Sequence, residues 1–197
     1  MIAIIDYDSG NVASIKNMFS YLGIEAIITN DKATISKSDK IVLPGVGAFD
    51  RGMEKLEAFG LVDILQEEVV RFEKPLLGIC LGMQLLGLSS EEGLKPGLGW
   101  IDMHSRKLPQ GKNKVPHMGW NKISECSKNA LVTEADQKFY FVHSYYVKVN
   151  NEKNSLMKTN YDLEFDSAIV KDNLFGAQFH PEKSHKFGMN LFKNFAK

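Results

Sequence analysis

Apolar residues recur along this chain in two rhythms, and the rhythm changes near its middle. Ile2-Ala3-Ile4-Ile5 is an unbroken apolar run, the pattern of a strand buried on both faces. After a turn at Asp8-Ser9-Gly10-Asn11, the residues Val12, Ile15, Met18, Phe19 and Leu22 recur at spacings of three and four, which predicts a helix. Gly23 ends it, and residues 25–28 predict a second strand. A third, at 40–43, is stopped by Pro44. Helical spacing returns at 50–59 and 61–72, parted by Gly60, and Pro75 then opens a strand that runs into Cys80. Strands parted by helices imply a parallel sheet covered on both sides, with ligands at the carboxyl ends of the strands.

Beyond Gly93 the texture changes. Short strand-like runs occupy 100–103, 114–120, 139–142, 145–149, 167–171 and 174–179, separated by turn clusters such as Pro109-Gln110-Gly111. Residues 187–195 place Met189, Leu191, Phe192 and Phe195 largely on one face of a closing helix. The expected fold is α/β, with a mostly parallel central sheet, flanking helices and an added mixed or antiparallel extension. The 197 residues fit a single domain, 1–197.

Composition narrows the function class. The 24 basic and 24 acidic residues balance, so nothing argues for nucleic acid or an anionic membrane surface. The longest nearly apolar run, 76–88, is broken by Gln84 and falls short of the roughly 18–20 residues a membrane span needs. The start has no basic region and no cleavage site, and reads as a first strand. Cys80 and Cys126 lie far apart with no CxxC spacing, which argues against a disulfide framework. A cytoplasmic protein is expected.

The candidate chemistry centres on Cys80. Glycines at 78 and 82 flank it where a strand pattern meets a helical one, the arrangement of a nucleophile elbow with thiol in place of hydroxyl. A cysteine at a helix start is favoured as thiolate. Taken alone, Cys80 fits a small packed hydrophobe equally well. A thiol nucleophile needs a base and a group to orient it. Among five histidines, His180 has a local carboxylate partner, in His180-Pro181-Glu182. If that segment is extended, residues 180 and 182 point the same way, and Cys80, His180 and Glu182 form a triad. Pro44-Gly45-Val46-Gly47-Ala48-Phe49 follows the third strand, so a backbone N–H there could join that of Leu81 in an oxyanion hole.

Rival chemistries fare worse. Asp50 stands where a dinucleotide fingerprint needs its third glycine, and a carboxylate there repels pyrophosphate. Asp6-x-Asp8 resembles the opening of a calcium loop, but Gly10 and Asn17 occupy ligand positions. No metal and no cofactor are expected.

These blocks resemble the class I glutamine amidotransferase family, of the triad type. Its motif G-x-C-x-G-x-Q matches Gly78, Cys80, Gly82 and Gln84, and its H-P-E matches 180–182. The stretches at 44–49, 115–121 and 178–184 are most similar to those of the glutaminase subunit of imidazole glycerol phosphate synthase, and the likeness covers essentially the whole chain. The resemblance implies a flavodoxin-like sheet, hydrolysis of L-glutamine by Cys80, His180 and Glu182, and an oxyanion hole at the backbone of Val46 and Leu81. It implies a glutamine pocket lined by Gly47, Gln84, Ser144 and Tyr145. The ammonia would pass to a cyclase subunit with a (β/α)8-barrel fold, in a heterodimer serving histidine biosynthesis. Met118, Trp120 and Lys183 are the candidates for that contact face, although Met118 and Trp120 also suit an ordinary core. Departures at Asp8, at Gly87-Leu88-Ser89-Ser90 and at Gly97-Leu98-Gly99-Trp100 keep open a paralogous branch that supplies ammonia to a sugar-modifying amidotransferase. A catalytically silent binding subunit is the alternative of another class.

Overall fold

The computed structural model describes residues 1–126, 131 and 137–197, and the side chain of Cys126 lies outside what it describes. In chain order the first half runs β1 (Ile2–Ile5), α1 (Val12–Tyr21), β2 (Ala26–Thr29), α2 (Lys32–Lys37), β3 (Lys40–Leu43), α3 (Phe49–Ala58), α4 (Val62–Leu65), β4 (Leu76–Ile79) and α5 (Leu81–Leu85). Helix α4 continues into a π-helical turn at Gln66–Arg71. The second half holds β5 (Ser89–Ser90), β6 (Met103–Lys107), β7 (His117–Lys122), β8 (Glu125–Cys126), β9 (Lys138–His143), β10 (Tyr145–Val149), β11 (Ser155–Tyr161), β12 (Leu163–Lys171), β13 (Leu174–Ala177) and α6 (His185–Ala196).

Among the described residues, eleven strands join one sheet, in the order β2, β1, β3, β4, β13, β12, β10, β6, β5, with β11 on β12 and β8 on β11. Strands β2, β1, β3, β4 and β13 are mutually parallel. From β13 to β12, β10 and β6 the pairing is antiparallel. Strands β7 and β9 form a separate antiparallel ribbon. The sheet is mixed because β13 lies parallel to β4 on one side, while the two-residue turn that joins it to β12 makes that pairing antiparallel.

Side-chain alternation divides the core in two. Ile5, Ile41, Leu43 and Leu76 pack with α3 and α5 residues such as Phe49, Met53 and Leu85. Ile2, Ile4, Val42, Leu77 and Ile79 face the other way, against Ile15 and Phe19 of α1 and Leu191, Phe192 and Phe195 of α6. That two-residue period explains the unbroken apolar runs, since both faces of each strand are covered. No helix among the described residues is long and apolar enough to cross a membrane.

Some elements escaped the pattern. The strand expected at 100–103 begins only at Met103, because Trp100 and Ile101 are buried from a turn whose N–H groups both donate to Leu86 O. Strand β11 was not anticipated. Register shifts around Met157 interrupt its pairing with β12, so its apolar positions do not alternate cleanly.

Glycine is required where strand β4 meets the loop after β3. A Cβ on Gly78 would lie 2.7 Å from Gly82 O, and one on Gly82 would overlap the Leu43 carbonyl. The elbow is therefore pressed against backbone that has nowhere to go. Gly82→Ala is expected to destabilise the fold by about 2–3 kcal/mol, read as a lowered urea midpoint; an unchanged midpoint contradicts this packing.

Candidate active site

Cys80 lies between β4 and α5 with φ 54° and ψ −110°, a conformation that a non-glycine residue holds only when its surroundings enforce it. The enforcing partner is β13. Its register places Ala177 beside Ile79, and Cys80 N donates to Ala177 O at 2.7 Å. The chain leaving β13 is thus delivered alongside the elbow, and His180 is its third residue.

Residues Pro181–Lys183 then form a 3-10 turn, not the extended segment expected. Proline has the φ of a helical first turn and no N–H to lose there. The turn closes through Lys183 N donating to His180 O (3.0 Å) and Ser184 N donating to Pro181 O (2.9 Å). It folds Glu182 back so that its Oε1 meets His180 Nδ1 at 2.8 Å. The carboxylate orients the ring as the triad requires, by a different backbone route. The buried Ser184 hydroxyl donates to His180 O at 2.6 Å and accepts from Tyr140 N at 3.0 Å, while His180 N donates to Tyr140 O at 2.9 Å. Strand β9 therefore braces the base from behind.

The electrostatics favour a charged imidazole. The His180 and Glu182 side chains are only 3% and 1% exposed. Burial alone pulls the His180 pKa down, but the Cys80 sulfur and the Glu182 carboxylate outweigh it and raise the pKa to about 9. With Nδ1 committed to Glu182, Nε2 is the buried nitrogen left for proton transfer with Cys80. Tyr7 lies beneath the site. Its hydroxyl donates to Pro44 O at 2.5 Å, and burial pushes its pKa far up, so it stays a neutral donor.

Cys80 opens into a cavity of about 440 Å³. Val46, Gly47, Leu81, Gln84, Ser144 and Tyr145 all line it, so the residues expected of an oxyanion hole and a substrate pocket converge on the sulfur. Val46 N, however, already donates to Ser9 Oγ at 3.1 Å, and the same hydroxyl donates to Val46 O at 3.0 Å. In this structure that amide has a partner other than an oxyanion. Gln84 is fixed by Nε2, which donates to Tyr145 O at 3.1 Å.

Glu92 and His143 also line the cavity and were not singled out from sequence. Glu92 Oε2 accepts from Phe49 N at 2.8 Å, which stations a carboxylate on the pocket wall. Only proximity to the elbow in sequence could have pointed to it. Asp50, weighed earlier against pyrophosphate, instead accepts from Leu94 N and Lys95 N, and these bonds hold its carboxyl below the usual range. Among the described residues no group of three or more His, Cys, Asp or Glu side chains could hold a metal.

Met118 and Trp120 are 62% and 47% exposed, so neither belongs to the core. Trp120 stacks on His185 and meets Tyr140 edge-on, and Lys183 Nζ lies 5.8 Å from the centre of the same Tyr140 ring. Trp120 and Lys183 thus share the Tyr140 ring, and the exposed Met118, two residues before Trp120 on β7, extends the same strand face.

His143 on the cavity wall and His117 behind it are buried and neutral. His143 Nδ1 donates to Tyr145 O at 2.9 Å, which leaves Nε2 to accept from His117 Nδ1 at 3.0 Å. Burial lowers their pKa values to about 3 for His143 and about 4 for His117. Below about pH 6.5 the unfolded chain therefore binds protons that the folded one refuses. Stability falls as the pH drops from about 6.5 toward 4, by up to about 1.4 kcal/mol per unit for each histidine. His180 has the opposite sign, stabilising below about pH 6.5 and losing its contribution as the pH rises through about 9. Urea unfolding at pH 7 and pH 5 should show the acid loss reduced in His117→Phe; equal losses contradict the assignment.

The family model for glutamine amidotransferase class-I matches residues 3–197. A curated relative from Methanococcus maripaludis, "Imidazole glycerol phosphate synthase subunit HisH 2", is 57% identical over 200 residues, covering 100% of this chain and 99% of the relative. A relative of the same name from Pseudomonas aeruginosa is 50% identical, with 99% and 98% covered. "Imidazole glycerol phosphate synthase subunit HisH" from Bdellovibrio bacteriovorus is 43% identical, with 100% and 99% covered. Among solved structures, a glutamine amidotransferase superposes with a TM-score of 0.76 at 16% identity, over 99% of this chain and 97% of that one. Similar in sequence from the first strand to the last helix, and in fold to the same class of enzyme, the chain belongs to the class-I glutamine amidotransferases and, within them, to the HisH subunits of imidazole glycerol phosphate synthase.

Proposed function

We propose that the chain hydrolyses L-glutamine to glutamate and ammonia at Cys80. The observation that carries this reading is the register of β4 with β13, which sets a strained cysteine beside a histidine buried on a glutamate. The Cys80 thiolate attacks the γ-amide carbonyl carbon, and the carbonyl electrons move onto oxygen. Leu81 N–H and Val46 N–H are the donors for that oxyanion, the second once it exchanges Ser9 for the substrate. Collapse of the intermediate breaks the C–N bond, and His180 Nε2 protonates the departing ammonia. A glutamyl thioester remains. Water, deprotonated by the now neutral His180, attacks it and releases glutamate and the thiolate. Glu182 keeps Nδ1–H in place through both half-reactions. Gly47, Gln84, Ser144 and Tyr145 shape the pocket, and the Glu92 carboxylate suits the α-ammonium group of the substrate.

The ammonia is used elsewhere. The HisH relatives are named as subunits of a synthase, and the exposed patch of Met118, Trp120 and Lys183 offers aromatic, thioether and cationic groups suited to a protein interface. The partner is a cyclase subunit of (β/α)8-barrel fold in a heterodimer, docked over the β7–β9 ribbon. One experiment tests both halves. The chain, a candidate cyclase, its ribonucleotide substrate and glutamine should yield the imidazole-ring product. Cys80→Ala should lose it by at least about 10³-fold while added ammonium salt restores it. Continued glutamine use by Cys80→Ala contradicts the mechanism. Complex formation without imidazole product contradicts the partner and favours the sugar-modifying branch.

A further inference from the structure

Gln178 plays no part in the chemistry above, yet its side chain is fully buried against the nucleophile. It follows Ala177, so the register that pairs Ala177 with Ile79 sets it level with Cys80. Its backbone N–H donates to Ser167 O at 2.9 Å, which ties the residue to β12. Its amide bridges two groups of the site. Gln84 Nε2 donates to Gln178 Oε1 at 2.9 Å, and Gln178 Nε2 donates to Cys80 Sγ at 3.7 Å.

The direction of these bonds is fixed from outside the pair. Tyr145 O is a backbone carbonyl and can only accept, and His143 Nδ1 already donates to it. Gln84 must therefore turn its NH2 group toward Tyr145 O, and the second proton of that group faces Gln178. Gln178 in turn must offer oxygen to Gln84, so its own N–H groups point toward the sulfur. Flipping Gln178 would set two NH2 groups against each other and an oxygen lone pair against sulfur. An N–H aimed at sulfur bonds a thiolate strongly and a thiol weakly.

We propose that Gln178 is a further catalytic residue, whose side-chain N–H holds Cys80 Sγ as thiolate in the attacking position. Through Gln84 the same amide links the sulfur to the wall of the substrate pocket. This rests on Cys80 as the nucleophile and adds a second source of thiolate stabilisation beside His180.

Gln178→Glu separates this role from a merely structural one. A carboxylate at 178 still accepts from Gln84 Nε2 but replaces the donor to sulfur with a negative charge, so the neutral Gln178→Met is the control that separates loss of the donor from charge repulsion. Gln178→Met loses both bonds. Iodoacetamide alkylation of the full chain, with Cys80 and Cys126 resolved by peptide mass spectrometry, reads the thiolate without any glutamine turnover. Both variants should alkylate Cys80 at least about tenfold more slowly at pH 7, a hydrogen bond to a charged group being lost, with the rate profile moved to higher pH. His180, Glu182, Tyr7, His143 and Glu92 also surround the sulfur or its pocket, so profiles are compared between variants. Wild-type alkylation rates in Gln178→Glu overturn the proposal. If a variant fails to fold, the unmodified protein decides: the Gln178 side-chain NH2 resonances should shift with the same pH midpoint as Cys80 alkylation, and a pH-invariant amide overturns the role. Because neither readout uses glutamine, failure of Cys80 as the glutaminase nucleophile would be seen separately, in the Cys80→Ala assay.

Discussion

The hydrogen bond from Cys80 N–H to the Ala177 carbonyl is the contact on which the rest of this molecule turns. It is the last rung of a parallel ladder between β4, from the middle of the chain, and β13, from near its end. Remove that pairing and the nucleophile has no base, since His180 reaches the sulfur only because β13 stops beside the elbow. The same rung levels Gln178 with Cys80 and helps hold the cysteine at its unfavourable φ. Glycines at 78 and 82 allow the elbow to press against the loop after β3, and that loop brings Val46 and Gly47 to the cavity.

The site is costly to hold. A non-glycine residue in such a conformation costs about 1–3 kcal/mol, and a buried imidazolium costs more unless it is paired. The compensation is local and dense. Glu182 pairs the ring, Ser184 and Tyr140 fix the backbone of the turn, and one connected run of aromatic rings, from Phe139 and Phe179 through Phe141 to His117 and Tyr161, packs behind it as a seal. Phe139 stacks on Phe179 at 3.8 Å between ring centres, and His117 stacks on Tyr161 at the same distance. The neutral His143 and His117 follow from that seal, because imidazoles so deeply buried without a carboxylate give up their charge. One buried histidine is charged and two are neutral, and the Cys80 sulfur together with the Glu182 carboxylate marks the difference.

Much of this was legible from sequence where the physics is local. Strand β3 falls at residues 40–43 as expected, since an apolar run stopped by proline has few other readings. Cys80 announced itself through its flanking glycines, and Glu182 through its place two residues from His180. What stayed hidden depends on partners far apart in the chain. The Ser9–Val46 clasp joins two loops, and Glu92 reaches the pocket from the turn after the short strand β5. Gln178 sits in plain sight beside His180, but its role follows only from the Tyr145 carbonyl that orients Gln84. The turn at Pro181–Lys183 shows the converse case: the expected His180–Glu182 contact forms, through a backbone that a strand-like reading does not anticipate.

The most direct test of Cys80 as the nucleophile set against His180 is to trap it. The full chain, treated with a glutamine analogue bearing a chloroketone in place of the amide and then digested, should carry the added mass on the peptide containing Cys80. Excess glutamine should protect that site, and Glu182→Gln should slow its labelling. Mass added at Cys126 instead, or labelling of Cys80 that glutamine does not slow, would contradict the account.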